Sequence, residues 1–245
     1  MIKKLVAAAA FVALGAGSVL AADLAPQPYV KAPMAPVFSW TGFYLGGTIG
    51  GGIHNSTIDD KDCNLSCSSL AFSKAFGTVG GTAGYNYQFG PGVVGIEGDI
   101  NWSSFKDSLA DPNWDNPSGS FHSTKSEWFS TVRGRFGLAV DRVLIYGTGG
   151  VAFVDRNVTG NDIAGTCTRA CFSIKETAVG AVGGVGAEYA FAGPWSIKAE
   201  YLYVMTPTAR AQDLNTIRAL RSYNQYAVTD TMQVLRLGVN YRFGY

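Results

Sequence analysis

Four cysteines have a spacing that could form disulfide bonds or hold a metal ion. They occur as two Cys-x3-Cys pairs, Cys63 with Cys67 and Cys167 with Cys171. In an exported protein disulfides are the default, and four cysteines allow three pairing patterns that the sequence does not choose between. Zinc is the weaker alternative, because this spacing departs from the usual zinc motifs and few histidines are nearby. We predict disulfides at all four positions and no metal site.

The two histidines, His54 and His122, are the residues best suited to acid–base chemistry. A hydrolase could use His122 with Ser123 or Ser126 and with an acid such as Glu127. A catalytic triad, however, needs a base that is hydrogen-bonded to its nucleophile and oriented by the acid. These residues are close neighbours in one polar stretch, so we predict no catalytic residue and no enzymatic activity.

The motifs that hold common cofactors are missing from the sequence. It has no CxxCH motif for covalent haem, and its glycine runs contain no phosphate-binding GxxxxGK[ST] motif. Noncovalent haemin binding through His54, His122, Tyr223 or Tyr226 is an alternative that no pattern supports. We therefore predict no cofactor. The formal net charge of +1 gives no electrostatic reason to expect a nucleic-acid partner.

Nine charged residues occupy alternate positions of segments whose other positions are apolar. Successive side chains of a strand point to opposite faces, so these charges should share one face of a sheet. Four are acidic and five are basic, which would allow them to pair. They are Glu97, Asp99, Arg133, Arg135, Glu188, Lys198, Glu200, Arg236 and Arg242.

Eight segments carry this alternation, and the clearest is the carboxy-terminal one. In residues 235–245 every odd position is apolar or aromatic and every even position is polar, cationic or glycine. Seven of the eight segments fit a period of two, which favours strands over helices. The fifth segment is apolar on both faces, so its register stays open. The segments lie near residues 41–53, 77–89, 94–102, 128–140, 143–154, 179–191, 195–203 and 235–245.

Short and long connections alternate between these segments. The short ones are Gly90-Pro91-Gly92, Asp141-Arg142 and Ala192-Gly193-Pro194, which are tight-turn sequences. The long ones are polar stretches near His54–Ala75, Ser103–Lys125, Asp155–Lys175 and Met205–Asp230. This order is typical of an up-and-down barrel that crosses a membrane, with short turns on the periplasmic side and long loops outside. Both histidines should then lie at or in outside loops.

The amino-terminal residues have the three parts of a secretory signal peptide. Lys3 and Lys4 precede an apolar run, and small residues near Ala22 form a cleavage site. We predict a signal peptide at 1–22, a proline-rich lead segment at 23–39 and a barrel at 40–245. No other stretch offers about 18 uninterrupted apolar residues, so we predict no transmembrane helix.

Alternation alone does not decide which face of the barrel meets water, because a soluble barrel would bury its apolar face. Aromatic residues of the apolar face gather at both strand ends, as they do at the two membrane–water interfaces. Phe43, Tyr85 and Tyr189 lie toward the short turns, and Trp102 and Trp128 toward the long stretches. We therefore predict an apolar outer wall and a bore that the nine charges fill as an ionic network. The alternative use of that network is a narrow or gated ion path.

Several segments resemble the small outer-membrane β-barrel family of Gram-negative bacteria. The segment after the predicted signal resembles the subgroup of major surface antigens and haemin-binding, porin-like proteins. The resemblance implies an all-β, eight-stranded antiparallel up-and-down transmembrane β-barrel in the cell outer membrane. The four cysteines are not part of the shared pattern. The segments that carry it are Trp40–Gly47, Gly84–Gln88, Gly95–Asp99, Tyr146–Phe153, Lys198–Tyr203 and Leu237–Phe243, with Ala22–Leu24 for the subgroup.

These observations predict a non-enzymatic barrel that supports envelope integrity and surface contact. Its expected partners are outer-membrane lipid and lipopolysaccharide, and a host or other surface ligand reached through the long loops. The mildly basic stretch Met205–Tyr226 could contact the anionic lipopolysaccharide surface. The alternative functions are binding of haemin or another small ligand, and weak porin-like channel activity.

Overall fold

The computed structural model describes residues 38–60, 69–111, 120–162, 172–212 and 225–244. Nine strands lie within these ranges. They are β1 (Gly42–Asp60), β2 (Ser69–Phe89), β3 (Gly92–Asp111), β4 (Ser120–Val140), β5 (Val143–Asp162), β6 (Phe172–Ala192), β7 (Trp195–Met205), β8 (Ala209–Gln212) and β9 (Gln225–Arg242). The described ranges contain no helix with the length and apolar character needed to cross a membrane. The predicted signal peptide and nearly all of the lead segment lie outside these ranges.

The strands close into an antiparallel barrel with eight strand positions. Each long strand pairs with the next in the chain, and β9 pairs with β1, with Tyr241 opposite Leu45. The short strand β8 pairs with β9 beyond the end of β7. Strands β7 and β8 together therefore occupy one strand position of the barrel, with a break between them. Pro207 lies in the interruption, and proline has no N–H group to give to a ladder. The predicted all-β, eight-stranded antiparallel barrel is confirmed.

Three tight turns lie at one end of the barrel, which we call the turn end. Gly90 and Gly193 have φ angles of 57° and 50°, a left-handed conformation that favours glycine. The described chain also begins and ends there, because the Phe243 N–H donates to the Phe43 carbonyl at 2.8 Å. The opposite end, to which the longer connections belong, is called the loop end.

The strands reach further toward the loop end than the sequence predicts. Strands β1 to β6 have 19 to 21 residues each, whereas about 9–11 are enough to span a bilayer. The predicted loop His54–Ala75 is therefore wrong in extent, because β1 continues to Asp60 and β2 begins at Ser69. The outward face of these extensions is largely polar and the inward face mixes polar with apolar residues, so the hydrophobic alternation that identifies a strand is weak there.

The outer wall is apolar and the inward face is buried, as the alternation predicts. Phe43, Ile96 and Leu235 are each more than 60% exposed on the outer wall. The register of β5, which the sequence left open, is now settled: Leu144 and Tyr146 point inward, and Ile145 points outward.

Two apolar layers fill the bore on either side of the charged residues. A turn-side apolar layer contains Trp40, Val93, Ala139, Leu144, Tyr146 and Ala190. A loop-side apolar layer contains Phe76, Phe105, Phe129, Ala152, Val154, Val182, Leu202, Val204, Met232 and Val234. Along β7, for example, Lys198 and Glu200 precede Leu202 and Val204, so the charges lie between the two layers.

Candidate functional site

All nine charged side chains that the sequence assigns to the bore are buried there. Eight of them form one cluster, which we call the ionic network, with four carboxylates and four cations. Its members are Glu97, Asp99, Glu188, Glu200, Arg133, Arg135, Lys198 and Arg236. The network is therefore formally neutral, which is the condition under which charges are tolerated in a dry interior.

Arg133 is the centre of the network. Its Nη2 lies 2.8 Å from Asp99 Oδ2 and also contacts Glu97, and its Nη1 lies 2.9 Å from Glu200 Oε1. Arg236 joins two of the same acids, with Nη2 at 2.9 Å from Asp99 Oδ2 and Nε at 2.8 Å from Glu200 Oε2. Two guanidinium groups thus share Asp99 and Glu200, and removal of either one would leave buried carboxylates undercompensated.

Glu97 extends the network toward the turn end. Its Oε2 accepts hydrogen bonds from Lys198 Nζ and from the Tyr44 hydroxyl, each at 2.8 Å. Arg135 donates in turn to the Tyr44 oxygen at 2.7 Å and to Glu188 Oε2 at 2.9 Å. The Arg135 guanidinium also lies 3.8 Å from the centre of the Tyr146 ring. Such a cation–π contact stabilises a cation that has lost its water.

Arg242 lies beyond the network, in the turn-side part of the bore. Its guanidinium is 4.3 Å from the centre of the Phe38 ring and 5.6 Å from that of Trp40. The bore is thus covered near the turn end by a cation stacked on aromatic rings.

The uncharged members of the network were not predicted from the sequence. Tyr44 and Tyr146 hold Arg135, Thr131 accepts from Arg133, and Asn240 and Ser196 donate to Glu188. For Tyr44 a signal was present, because it occupies the face of β1 opposite Phe43 and Leu45. For Tyr146 none was present, because both faces of its segment are apolar.

The prediction that His54 lies at or in an outside loop is wrong. His54 is on β1 and is only 3% exposed, inside the bore on the loop side of the ionic network. Its ring centre is 4.2 Å from that of Phe105, and its Nε2 is 3.6 Å from Asp230 Oδ1. The other Asp230 oxygen lies 2.8 Å from Arg156 Nε. Burial alone would raise the pKa of Asp230, but His54 and Arg156 outweigh it and hold that pKa below its usual range.

The hydrolase alternative finds no support in the geometry of β4. Ser126 is buried in the bore, whereas its neighbour Glu127 is exposed and its carboxylate pairs with Lys125. The Lys125 ammonium lowers the pKa of Glu127 through its hydrogen bond and charge. Ser126 and Glu127 therefore point to opposite sides of the wall, and they do not form the acid–nucleophile pairing that a triad needs.

Other predicted residues fall outside the described ranges. Cys63, Cys67, Cys167 and Cys171, which we predict to form disulfides, are among them, and so is Tyr223. In the described part of the chain, no three His, Cys, Asp or Glu residues are grouped so that they could hold a metal ion.

The geometry of the bore suits a structural element better than a passage. An eight-stranded barrel is only wide enough for side chains to fill its interior, and here the interior holds two apolar layers and a neutral ionic network. Each ion pair of the network joins two different strands, so the charges brace the wall from within.

Comparison with known proteins agrees with this architecture. The profile of the family described as "Outer membrane protein beta-barrel domain" matches residues 7–243. The chain is 36% identical over 252 residues to a "31 kDa outer-membrane immunogenic protein" of Brucella melitensis, with 98% of this chain and 100% of the relative covered. It is 28% identical over 213 residues to a "22 kDa outer membrane protein" of Rhizobium leguminosarum bv. viciae, with 87% and 82% covered.

Among solved structures, Neisserial surface protein A resembles the chain with a TM-score of 0.43 and 12% identity, covering 83% of this chain and 98% of that one. The family match spans nearly the whole chain, and the Brucella relative is matched over its full length. The chain is therefore a member of the outer-membrane β-barrel protein family and is located in the cell outer membrane.

Proposed function

We propose that the chain is a non-enzymatic structural protein of the outer membrane that supports envelope integrity and offers a surface for contact outside the cell. The observation that carries this proposal is the filled bore, in which eight charges from five strands form one neutral network. A wall braced in this way is a stable, closed element of the bilayer.

Weak channel activity is the first alternative, and the packing of the bore counts against it. An ion crossing the bore would have to pass the loop-side apolar layer, where Phe129, Leu202 and Val234 each have 0% exposure. It would then have to separate Arg133 from carboxylates at 2.8 and 2.9 Å. Purified protein in planar bilayers should therefore show no steady conductance, and stepwise current in symmetrical salt would favour the channel.

Haemin binding is the second alternative. An iron ligand must be reachable by a large planar ring, and His54 is enclosed by Phe105 and Asp230 inside the bore. Titration of the refolded protein and of a His54→Ala/His122→Ala variant with haemin shows whether haemin binds through these histidines. We expect no Soret shift that depends on the two histidines.

The envelope role is tested in cells. A deletion strain should become more sensitive to detergent and release more vesicles, and the wild-type gene should restore both properties. An Arg142→Gln protein, changed at an exposed turn, should restore them equally well. A deletion strain indistinguishable from its parent in both assays would refute the proposal.

A further inference from the structure

The outer wall changes character toward the loop end. Beyond its last exposed large apolar side chain, each strand of the wall continues with mostly polar outward-facing residues, and we call this ring of residues the collar. On β3 the last such apolar residue is Trp102, on β6 it is Val179 and on β7 it is Met205. In a bilayer the collar therefore begins where acyl chains give way to headgroups.

Three lysines form a row across neighbouring strands of the collar. Lys106 of β3 is directly opposite Lys125 of β4. Lys125 is opposite Asn157 of β5, and Asn157 is opposite Lys175 of β6. Neighbouring strands are about 4.8 Å apart, so three ammonium groups crowd one short arc of the wall.

A β-bulge turns the middle lysine outward. On β4 the buried positions run through Phe129, Thr131 and Arg133, and a strict period of two would also place Lys125 inside. The register of β4 against β5 shifts between Lys125 and Phe129, and beyond that shift Thr124 and Ser126 are the buried residues. The bulge thus adds Lys125 to the outward row.

The lysines lie at a common depth relative to the apolar wall. Lys106 is four residues beyond Trp102, Lys125 is three beyond Trp128, and Lys175 is four beyond Val179. For tilted strands this places the Cα atoms about 10 Å above the apolar edge, within reach of headgroups for a flexible lysine. The exposed Arg210 of β8, five residues beyond Met205, continues the arc.

Acidic residues only partly balance this arc. Glu127 pairs with Lys125, and an Asp155 carboxylate oxygen accepts the Glu127 backbone N–H at 3.1 Å. Across the ranges that the structure describes, no carboxylate forms an ion pair with Lys106, Lys175 or Arg210. Like charges directly opposite on two strands are unfavourable, and Glu127 offsets only part of the charge of the row, so an external anion would stabilise Lys106, Lys125 and Lys175.

The other half of the collar has a different chemistry. Its described outward-facing residues on β9, β1 and β2 are uncharged apart from Asp59. They include Thr229, Thr231 and Gln233 on β9, Asn55 and Thr57 on β1, and Ser73 and Ala75 on β2. Lys74 of β2 is also exposed, but it lies opposite the buried His54, at an inward-facing position. The outward-facing positive charge of the described residues is therefore concentrated on one side of the barrel.

We propose that the cationic half-collar, formed by Lys106, Lys125, Lys175 and Arg210, binds the phosphate groups of lipopolysaccharide in the outer leaflet. This inference rests on the proposed envelope role, since it requires the loop end to face that leaflet. Several clustered phosphates on one lipid would match a row of cations better than a single-phosphate phospholipid does. The half-collar would hold that lipid on one side of the barrel and leave the other side free of it.

The test uses the full-length mature protein refolded in a neutral detergent and titrated with bis-phosphorylated lipid A. Trp102 and Trp128 flank the lysine row, so their fluorescence reports binding there. The test variant is Lys106→Gln/Lys175→Gln, which leaves the Lys125–Glu127 pair intact. The matched control is Arg218→Gln/Arg221→Gln, which removes the same charge from the basic stretch outside the described ranges.

We expect the lysine variant to bind lipid A about 20-fold more weakly and the arginine control to bind within about twofold of wild type, since each surface cation contributes a several-fold effect. Dephosphorylated lipid A should bind all three proteins weakly and equally. Phosphatidylglycerol should bind more weakly than lipid A to the wild type.

Three outcomes would overturn the half-collar assignment. They are an equal loss in both double variants, unchanged binding in the lysine variant, or equal binding of phosphatidylglycerol and lipid A. The envelope proposal is tested independently, because a deletion strain with a normal envelope would refute that role even if lipid A binding followed the lysines.

Discussion

Glu200 and Arg236 face each other at directly opposite positions of β7 and β9, and Arg236 Nε lies 2.8 Å from Glu200 Oε2. Glu97 is likewise opposite Arg133, and Glu188 is opposite Lys198. A slip of one residue would turn a strand's charges toward lipid, so these cross-strand pairs specify the strand register as well as filling the bore.

Replacement of Arg133 by methionine should strongly destabilise the barrel. The change leaves Glu97, Asp99 and Glu200 buried without their shared guanidinium, and breaking a buried ion pair in this way costs about 3–5 kcal/mol. The measurement is urea unfolding of the refolded protein in lipid vesicles. Arg142→Met, at an exposed turn, should change the free energy of unfolding by less than about 0.5 kcal/mol. Equal effects would mean that the network does not brace the wall.

Phe129 and Phe136 provide a matched test of the two faces of β4. Phe129 is fully buried in the loop-side apolar layer, whereas Phe136 is 63% exposed on the outer wall. Phe129→Ala leaves a cavity in a packed interior and should cost about 3–5 kcal/mol. Phe136→Ala should cost less in the same vesicles, because lipid can fill the space. A larger cost for Phe136 would contradict the assignment of the faces.

Much of this architecture could be predicted from the sequence, because the apolar period of two survives wherever one face meets lipid. Val132 and Phe136 alternate with Arg133 and Arg135, and this pattern, together with the aromatic residues at the strand ends, predicts that the arginines lie in the bore. The charges of the network could be identified for the same reason, but their pairing partners could not, since pairing depends on which strands are neighbours across the bore.

The strand extensions toward the loop end could not be predicted, and the reason is physical. There the outer face meets water or headgroups, so His54, Lys125 and Arg156 lie in stretches with weak apolar alternation. The bulge in β4 also changes which positions face inward, and a single unpaired residue leaves little trace in a polar sequence. These stretches therefore resembled loops.

Acid should weaken the barrel partly through Asp230. Its pKa is lower in the folded protein than the ordinary value near 3.9, so its contribution to stability is complete above that value. That contribution is lost as the pH falls through the lower folded pKa. The free energy of unfolding of wild type should therefore drop below about pH 4, and less steeply in Asp230→Asn. Asp141→Asn makes the same chemical change at an exposed turn, and an acid profile shared by both variants would contradict the role of Asp230.

Gly149 and Gly150 are neighbours on β5 that face opposite sides of the wall. A Cβ atom at Gly150 would lie 2.7 Å from the Cα of Arg133 and would also overlap the Val132 carbonyl. A Cβ atom at Gly149 would have its nearest neighbour at 3.7 Å, an ordinary contact. We therefore expect Gly150→Ala to destabilise the barrel, whereas Gly149→Ala should be neutral or slightly stabilising, because glycine within a strand costs about 0.5–1 kcal/mol relative to alanine.

The same pair tests the register of β4 against β5, because Arg133 is opposite Gly150 and Gly134 is opposite Gly149. If the register were shifted by one residue, Gly149 would occupy the crowded inward position. Gly149→Ala would then destabilise the barrel and Gly150→Ala would not. Unfolding in urea distinguishes these cases without a ligand or an activity assay, since both variants add one methyl group to the same strand. A loss of stability that follows Gly149 would refute the inward assignment of Gly150, and with it the placement of Arg133 in the bore.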